Sequence, residues 1–171
     1  MNLQSNNFII ELAALSVDRF TKTQKQFWEQ LSNKFDLSKP IPRNEFSPSD
    51  FVPFLPSIFL GDLIVDADGK LIDVINRLSG TKLASVYGNR KNQSLMAGRS
   101  EEDMSNQLKA VHERFGILVN KMFTEKTSIY TYTDFVDENK IYINATSFMI
   151  PMTNNGTDLN MALGYVEVSY K

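Results

Sequence analysis

The fold is decided by residues 57–88, "SIFLGDLIVDADGKLIDVINRLSGTKLASVYG". Two apolar runs in it, "SIFLGDLIVD" and "KLIDVINRL", have the length and β-branched content of strands. They flank "DADG", a tight turn in which we expect glycine at positive φ. Thr81 is placed to cap the short helix "KLASVY", and Gly88 to end it in the left-handed conformation. The stretch therefore predicts a β-hairpin followed directly by a helix.

The residues after this stretch predict a long helix and three more strands. "SEED" at 100–103 offers a capping box. The helix that it begins carries an apolar stripe at alternating steps of four and three: Met104, Leu108, Val111, Phe115, Leu118 and Met122. The strand candidates are "TSIYTYTDF", "KIYINATSFMIPM" and "MALGYVEVSY". This order predicts an α+β domain over residues 58–171, with a five-stranded antiparallel sheet and its helices on one face.

Residues 7–35 predict one long N-terminal helix. Apolar positions with one glutamine recur at alternating steps of three and four: Ile10, Ala13, Val17, Phe20, Gln24, Phe27 and Leu31. Two interpretations stay open. The helix packs on its own domain, or it pairs with the same helix of a second chain and Gln24 sets the register. The candidate dimer positions are then Ile10, Val17, Phe20, Phe27 and Leu31.

Five of the six prolines lie between residues 40 and 56. Proline at this density opposes regular structure and stiffens a connector. We therefore predict three parts: a helical extension over residues 1–39, a proline-rich connector over residues 40–57 and the α+β domain over residues 58–171.

Composition narrows the chemistry. The chain of 171 residues has no cysteine and one histidine, which excludes disulfides, thiolate nucleophiles and cysteine-ligated metals. The formal net charge of -2 provides no field that would attract nucleic acid or an anionic membrane. Glu11 and Asp18 interrupt the apolar residues of the first twenty positions, so we predict neither a signal peptide nor a membrane span. We expect a cytoplasmic protein.

Three motifs support a resemblance: "FWEQL" at 27–31, "IPRNEFSPSDFVPFLPSIFLGD" at 41–62 and "RLSGTKL" at 77–83. In this order and spacing they resemble the PAS domains of a family found mostly in alphaproteobacteria, often as small stand-alone proteins. After residue 100 the likeness extends only to the pattern of elements. The resemblance implies a sensory and protein-interaction fold.

The resemblance places Arg77, Gly80 and Thr81 at the junction between the second strand and the first helix. Each residue type also has a local reason to be there. Glycine permits the turn, threonine caps a helix, and arginine bonds nearby carbonyls or a carboxylate. We favour this structural role, and ligand contact stays the alternative.

The long helix and the sheet predict a candidate ligand pocket. Its expected lining combines apolar side chains with tyrosine hydroxyls that orient a ligand: Val74, Met104, Phe115, Met122, Tyr130, Tyr132 and Phe148. Aromatic and methionine side chains at such spacings also fill ordinary cores. We therefore favour a filled core, and a ligand-sized cavity stays the alternative.

His112 is the first candidate for other chemistry, because it borders the apolar stripe and a helix histidine holds the iron in haem-binding PAS domains. A lone histidine there is as readily satisfied by Glu113 or a backbone group. For acid-base catalysis Asp62 or Asp66 would have to act with His112, and no carboxylate pair or His-Asp spacing stands out. We expect no catalytic residue, no metal and no cofactor.

The sequence thus predicts a non-catalytic sensory or protein-interaction PAS domain of bacterial signalling. We expect it to form a homodimer and to act through a signalling partner, without binding nucleic acid or a membrane, and the presence of a small apolar ligand in its core stays open. The alternatives are a small α+β enzyme that uses Asp and His, and a haem-binding PAS sensor.

Overall fold

A computed structural model describes residues 2–5, 8–96, 106–133 and 143–170, and the side chains of residues 2–14, 106–112 and 143 lie outside this description. The strands are β1 Asn2–Ser5, β2 Phe8–Ala14, β3 Ile41–Pro42, β4 Ile58–Val65, β5 Leu71–Ser79, β6 Ile129–Thr133, β7 Ile143–Thr153 and β8 Met161–Tyr170. The α-helices are α1 Lys22–Ser32, α2 Thr81–Tyr87 and α3 Asn106–Glu125. Two 3-10 helices span Val17–Arg19 and Pro48–Ser57. The predicted α+β class is confirmed.

Within these residues eight strands form one sheet in the order β1-β2-β6-β7-β8-β4-β5, and β3 pairs with the end of β7. The β3 pairing is parallel, and the others are antiparallel. The five strands predicted from the sequence are consecutive neighbours, from β5 across β4, β8 and β7 to β6. The sheet is therefore larger than predicted, since β2 adds to it beside β6.

Helices cover both faces of this sheet. On one face Phe27 of α1 stacks on Phe148 and Tyr165, with ring centroids 5.9 and 4.8 Å apart. On the other face Met122 of α3 shares a buried cluster with Met149. Within the predicted 58–171 domain, α2 and α3 both pack on the face of this second cluster, whereas α1, from the predicted N-terminal extension, covers the opposite face. A strand that is buried on both faces reads as a continuous apolar run, which hides the second layer in the sequence.

The predicted helix over residues 7–35 is wrong in its first half. Residues Phe8–Ala14 form β2 and pair with β6, and α1 begins only at Lys22. A capping box fixes that start, because Thr21 and Gln24 each bond the other's backbone N–H. The apolar residues of β2 and α1 together have heptad spacing, although they belong to a strand and to a separate helix. The strand "FIIELAA" forms hydrogen bonds with the backbone N–H and C=O groups on one edge of β6. A helix in its place would leave those groups unpaired.

The predicted connector is part of the core. Ile41, Phe46, Phe51 and Phe54 are buried in the same cluster as Phe27. Regular structure is present as the 3-10 helix Pro48–Ser57, which is kinked at Phe51. Proline fixes φ near the value of a 3-10 turn, so proline density favours this element where we expected an irregular link. The three predicted parts of the chain share one hydrophobic core.

The hairpin of β4 and β5 confirms the prediction for "DADG", since Gly69 has a φ of 79°. The junction after it differs in detail. Gly80 is the N-cap residue of α2, and Thr81 is its first helical residue and makes no capping bond. Gly88 has a positive φ of 85° as predicted, but its ψ of 159° lies outside the left-handed helical region. The predicted capping box at residues 100–103 and Met104 lie outside the described residues.

Candidate ligand cavity

A cavity of about 170 Å³ lies between the sheet and the layer formed by α2 and α3. The sheet contributes Phe59, Thr131, Ala145, Met149, Gly164 and Val166 to its wall. The helices and the loop after α2 contribute Leu83, Tyr87, Leu95, Arg114, Phe115 and Leu118. Most of these side chains are apolar, so the cavity suits a molecule with an apolar body.

Two glycines leave room for the ring of Phe59, which forms part of the cavity wall. A Cβ on Gly61 would lie 2.6 Å from Cζ of Phe59, and a Cβ on Gly164 would lie 3.2 Å from its Cδ1. The Phe59 ring therefore lies over both glycines. It meets Phe115 edge to face, with 5.5 Å between ring centroids. Glycine in the strands thus positions an aromatic pair at the cavity, because a side chain at either position would displace the ring.

Asn76 is the polar residue that stands out in the wall. Its side chain is 1% exposed, and its Nδ2 donates to Oγ of Ser79 over 2.8 Å. Its backbone N–H donates to the oxygen of Gln93 over 3.0 Å, and its own carbonyl accepts from Asn92. The Oδ1 atom has no hydrogen-bond partner among the described residues. A buried polar atom left unpaired costs about 1–3 kcal/mol.

Several other polar groups of the wall have partners. The hydroxyls of Thr131 and Ser147 bond each other at 2.5 Å. The Nε of Arg90 donates to the backbone oxygen of Tyr87 over 3.0 Å, and Arg114 also has a partner. No aspartate or glutamate occurs among the described residues of the wall. The cavity therefore offers a mainly apolar wall with a few hydroxyl, amide and guanidinium groups.

The predicted pocket residues are only partly brought together. Phe115 and Phe148 occur in the wall, and Val74 and Met122 are fully buried in the cluster on that face. Met104 lies outside the described residues.

Tyr130 and Tyr132 belong to the core on the opposite face, so the prediction that their hydroxyls line the pocket is wrong. The ring of Phe148 also packs there, 4.9 Å from that of Phe20. Along β6 the threonines face the cavity and the tyrosines face α1. A shift of one residue exchanges the two faces of a strand, and the sequence alone did not fix which face is which.

The predicted junction motif has structural contacts. Nε of Arg77 lies 2.5 Å from Oδ2 of Asp62, and Nη1 of Arg77 donates to Oδ1 of Asn92 over 3.3 Å. A Cβ on Gly80 would lie 2.0 Å from the backbone oxygen of Leu55. None of these contacts involves the cavity, and Arg77, Gly80 and Thr81 do not line it. The geometry therefore supports the structural role over ligand contact.

The predicted dimer helix packs on its own domain. Phe20, Phe27 and Leu31 are buried in the core between α1 and the sheet. Val17 is 40% exposed in the 3-10 helix, and the side chain of Ile10 lies outside the description.

Gln24 is fully buried and donates from Nε2 to Oγ1 of Thr146 on β7 over 3.1 Å. It therefore joins α1 to the chain's own sheet, and we correct its predicted role as a register residue of a dimer.

Asp62 and Asp66, two of the three candidates for catalysis, do not line the cavity. Asp62 pairs with Arg77, and Oδ1 of Asp66 accepts from the backbone N–H groups of Asp68 and Lys70. The side chain of His112 lies outside the description. In the part of the chain whose side chains are described, no group of three His, Asp or Glu residues could hold a metal ion.

Comparison with family models, with characterised proteins and with solved structures gave no match to this chain. Among the helices of the described residues, none is both long enough and apolar enough to cross a lipid bilayer. The fold and the cavity are therefore the observations that bear on function.

Proposed function

We propose that the chain is a PAS-like, non-catalytic sensory domain of bacterial signalling that binds a small apolar ligand and acts through a partner protein. The observation that carries this proposal is the largely apolar cavity between the sheet and the α2–α3 layer.

Two observations support the PAS-like part of the proposal. From β4 onward the elements follow the order that the resemblance implies: two strands, helices and three strands. Two of the motifs that carry the resemblance also touch each other. Gly80 of "RLSGTKL" donates its N–H to the oxygen of Ile58 over 2.8 Å and packs on Leu55 and Pro56 of the preceding motif. The motif residues therefore maintain one packing contact of the fold.

The size of the cavity favours ligand binding over a filled core. Protein interiors pack as densely as organic crystals, and voids larger than a water molecule are few. An engineered apolar cavity of about 150 Å³ in another protein binds benzene. The present cavity of about 170 Å³ is at least as large. It therefore has room for a molecule with one six-membered ring.

The residues of the wall favour binding over catalysis. General acid-base chemistry needs titratable groups within hydrogen-bond reach of the reacting atoms. The described wall holds aromatic and aliphatic side chains, hydroxyls that bond each other, an amide and two arginines. Such a lining orients a ligand. We propose no reaction for it.

Signal output follows from the position of the cavity between two layers. Phe115 and Leu118 of α3 and Leu83 of α2 form its helical side, so a ligand contacts both helices at once. A ligand that favours one packing of these helices over another shifts the population of the two, and a partner can respond to that shift. Homodimerisation stays part of the proposal. Since Phe20, Phe27 and Leu31 are buried within the chain, a dimer would use another surface.

Native mass spectrometry of gently purified protein tests the ligand. We expect a bound small molecule whose retention falls in Phe115→Ala, because that change removes a ring from the wall. The matched control is Ile117→Ala on the same helix, where the side chain is 40% exposed and does not line the cavity. The proposal fails if the wild-type protein carries no compound and no small apolar molecule raises its melting temperature.

A further inference from the structure

The ring of Phe59 lies on the sheet over two glycines and forms part of the cavity wall. We infer that Phe59, held in this position by Gly61 and Gly164, sets the upper size of the ligand, so that the cavity takes a single-ring apolar molecule and rejects two fused rings. This inference rests on the proposed function, because it names the class of ligand that the cavity binds and the residue that selects it.

The strand register brings the three residues together on one face of the sheet. Phe59 of β4 is the direct partner of Gly164 on β8. Gly61 follows Phe59 by two residues on the same strand, so its position belongs to the same face. Phe59 and Leu63 are both buried in the cluster of that face, together with residues of α3. The ring can therefore lie against the two strands, because neither neighbouring position has a side chain.

The distances show that the ring fills the volume that two side chains would take. A Cβ on Gly61 would lie 2.6 Å from Cζ and 3.2 Å from Cε1 of Phe59, and a Cβ on Gly164 would lie 3.2 Å from Cδ1. A side chain at residue 61 would have to lift the ring off the sheet, towards Phe115 of α3. Since Phe59 and Phe115 both line the cavity, the lifted ring would occupy space that a ligand needs.

Gly61 separates the effect of the ring from a direct effect on the wall. Gly164 lines the cavity, so a methyl group there would fill part of it directly. Gly61 does not line the cavity, and a Cβ on it would meet only the Phe59 ring and Cγ1 of Val74, the latter at 2.7 Å. Val74 is fully buried and does not line the cavity either. Gly61→Ala therefore acts on a ligand through the ring of Phe59.

Toluene and naphthalene are suitable probes, since both are apolar and only naphthalene has two fused rings. Calorimetry on the full chain gives the toluene affinity, and the fluorescence of naphthalene gives its own. We expect the wild-type protein to bind toluene more tightly than naphthalene. Phe59→Leu should raise the ratio of the naphthalene affinity to the toluene affinity about tenfold, because it removes ring atoms from the wall.

A double-mutant cycle tests whether the glycine acts through the ring. Gly61→Ala should lower the toluene affinity about tenfold, because it moves the ring into the cavity. In the Phe59→Leu background the same change should alter the toluene affinity less than about twofold, since there is no ring to lift. Gly116→Ala is the control glycine on α3, outside the wall, where a Cβ would meet only the side chain of Met96. It should leave both affinities unchanged.

Several outcomes would overturn the inference. An unchanged ratio in Phe59→Leu would mean that another part of the wall limits the ligand. An equal loss of toluene binding from Gly61→Ala in both backgrounds would mean that the ring does not transmit the effect. If naphthalene binds the wild-type protein as tightly as toluene does, the inference fails and the proposed function stands. If neither probe binds, both fail.

A further measurement uses only the wild-type protein and so does not depend on the folding of a variant. Bound toluene should shift the NMR signals of the Phe59 ring protons, because its own ring lies beside them. The ring of Phe46 is the control, since it is buried in the core on the opposite face and stacks on Phe51. Equal shifts at the two rings, or none at Phe59 with toluene bound, would contradict the inference.

Discussion

The backbone oxygen of Leu55 lies where a side chain on residue 80 would have to be. A Cβ built on Gly80 would be 2.0 Å from that oxygen and 2.4 Å from the carbonyl carbon of Pro56. Both obstacles are main-chain atoms, so no side-chain rotation can relieve the overlap. This contact joins the 3-10 helix Pro48–Ser57 to the start of α2 and fixes one boundary of the cavity layer.

We predict that Gly80→Ala destabilises the protein by about 3 kcal/mol or more, because the backbone must move apart. The measurement is the free energy of unfolding in urea. Gly116→Ala on α3 is the matched control, since a Cβ there would meet only the side chain of Met96, at 3.7 Å. In a helix interior alanine is favoured over glycine, so this control should gain up to about 1 kcal/mol. Equal effects of the two changes would contradict the role of the close approach.

Gln24 tests the packing of α1. Gln24→Ala removes its bond to Thr146 and one half of the capping box with Thr21, and the other partner atoms stay partly buried. We predict a loss of about 2 kcal/mol in the free energy of unfolding. Gln30→Ala on the same helix is the control, because Gln30 is exposed and bonds only the backbone oxygen of Asp50.

The oligomeric state separates the two interpretations of the N-terminal heptad spacing. If Gln24 joins α1 to its own sheet, light scattering should give the same mass for Gln24→Ala and for the wild-type protein. A change in mass with little change in stability would instead favour the dimer helix.

Arg77 tests the junction motif. Arg77 and Asp62 form an ion pair on the surface, with the Arg77 side chain 49% exposed. Pairs of this kind contribute about 0.2–1 kcal/mol. We predict that Arg77→Ala lowers the free energy of unfolding by less than about 1 kcal/mol and leaves the binding of a small apolar molecule such as toluene unchanged. A loss of toluene binding in a folded Arg77→Ala protein would show that the motif contacts the ligand.

The hairpin and the last strand were predictable because their signals are local. The "DADG" turn sets the ends of β4 and β5, and the run "MALGYVEVSY" coincides with β8. The strand β2 was not predictable from the same kind of signal. Its partner β6 lies far along the chain, and "FIIELAA" fits a helical heptad and a strand equally well.

The site was harder to predict than the fold. Whether Tyr130 or Thr131 faces the cavity depends on the strand register, and both faces of the sheet are buried. Asn76 was not among the predicted pocket residues. Asparagine is depleted in strands, which was the one available signal that it has a special role. Its unpaired Oδ1 arises from the arrangement of Ser79, Gln93 and Asn92 around it, which no spacing in the sequence reveals.

Because of Tyr165, we expect the free energy of unfolding to decrease at alkaline pH. Its side chain is 2% exposed and stacks on Phe27, and burial together with the charge of Glu167 raises the pKa of its hydroxyl to about 12, against the lowering effect of a bond with Ser57. The unfolded chain loses this proton near pH 10, the ordinary value. Stability from this group is therefore complete below about pH 10 and is lost as the pH rises towards about 12.

We predict that the wild-type protein loses about 1 kcal/mol more of its free energy of unfolding between about pH 9 and about pH 11 than Tyr165→Phe does. Urea unfolding at the two pH values measures this difference. Tyr170→Phe is the control, because Tyr170 is 71% exposed, and it should lose as much as the wild-type protein. Parallel losses in the wild-type protein and Tyr165→Phe would mean that the hydroxyl of Tyr165 is solvated, and that the core between α1 and the sheet is looser there than its stacked rings imply.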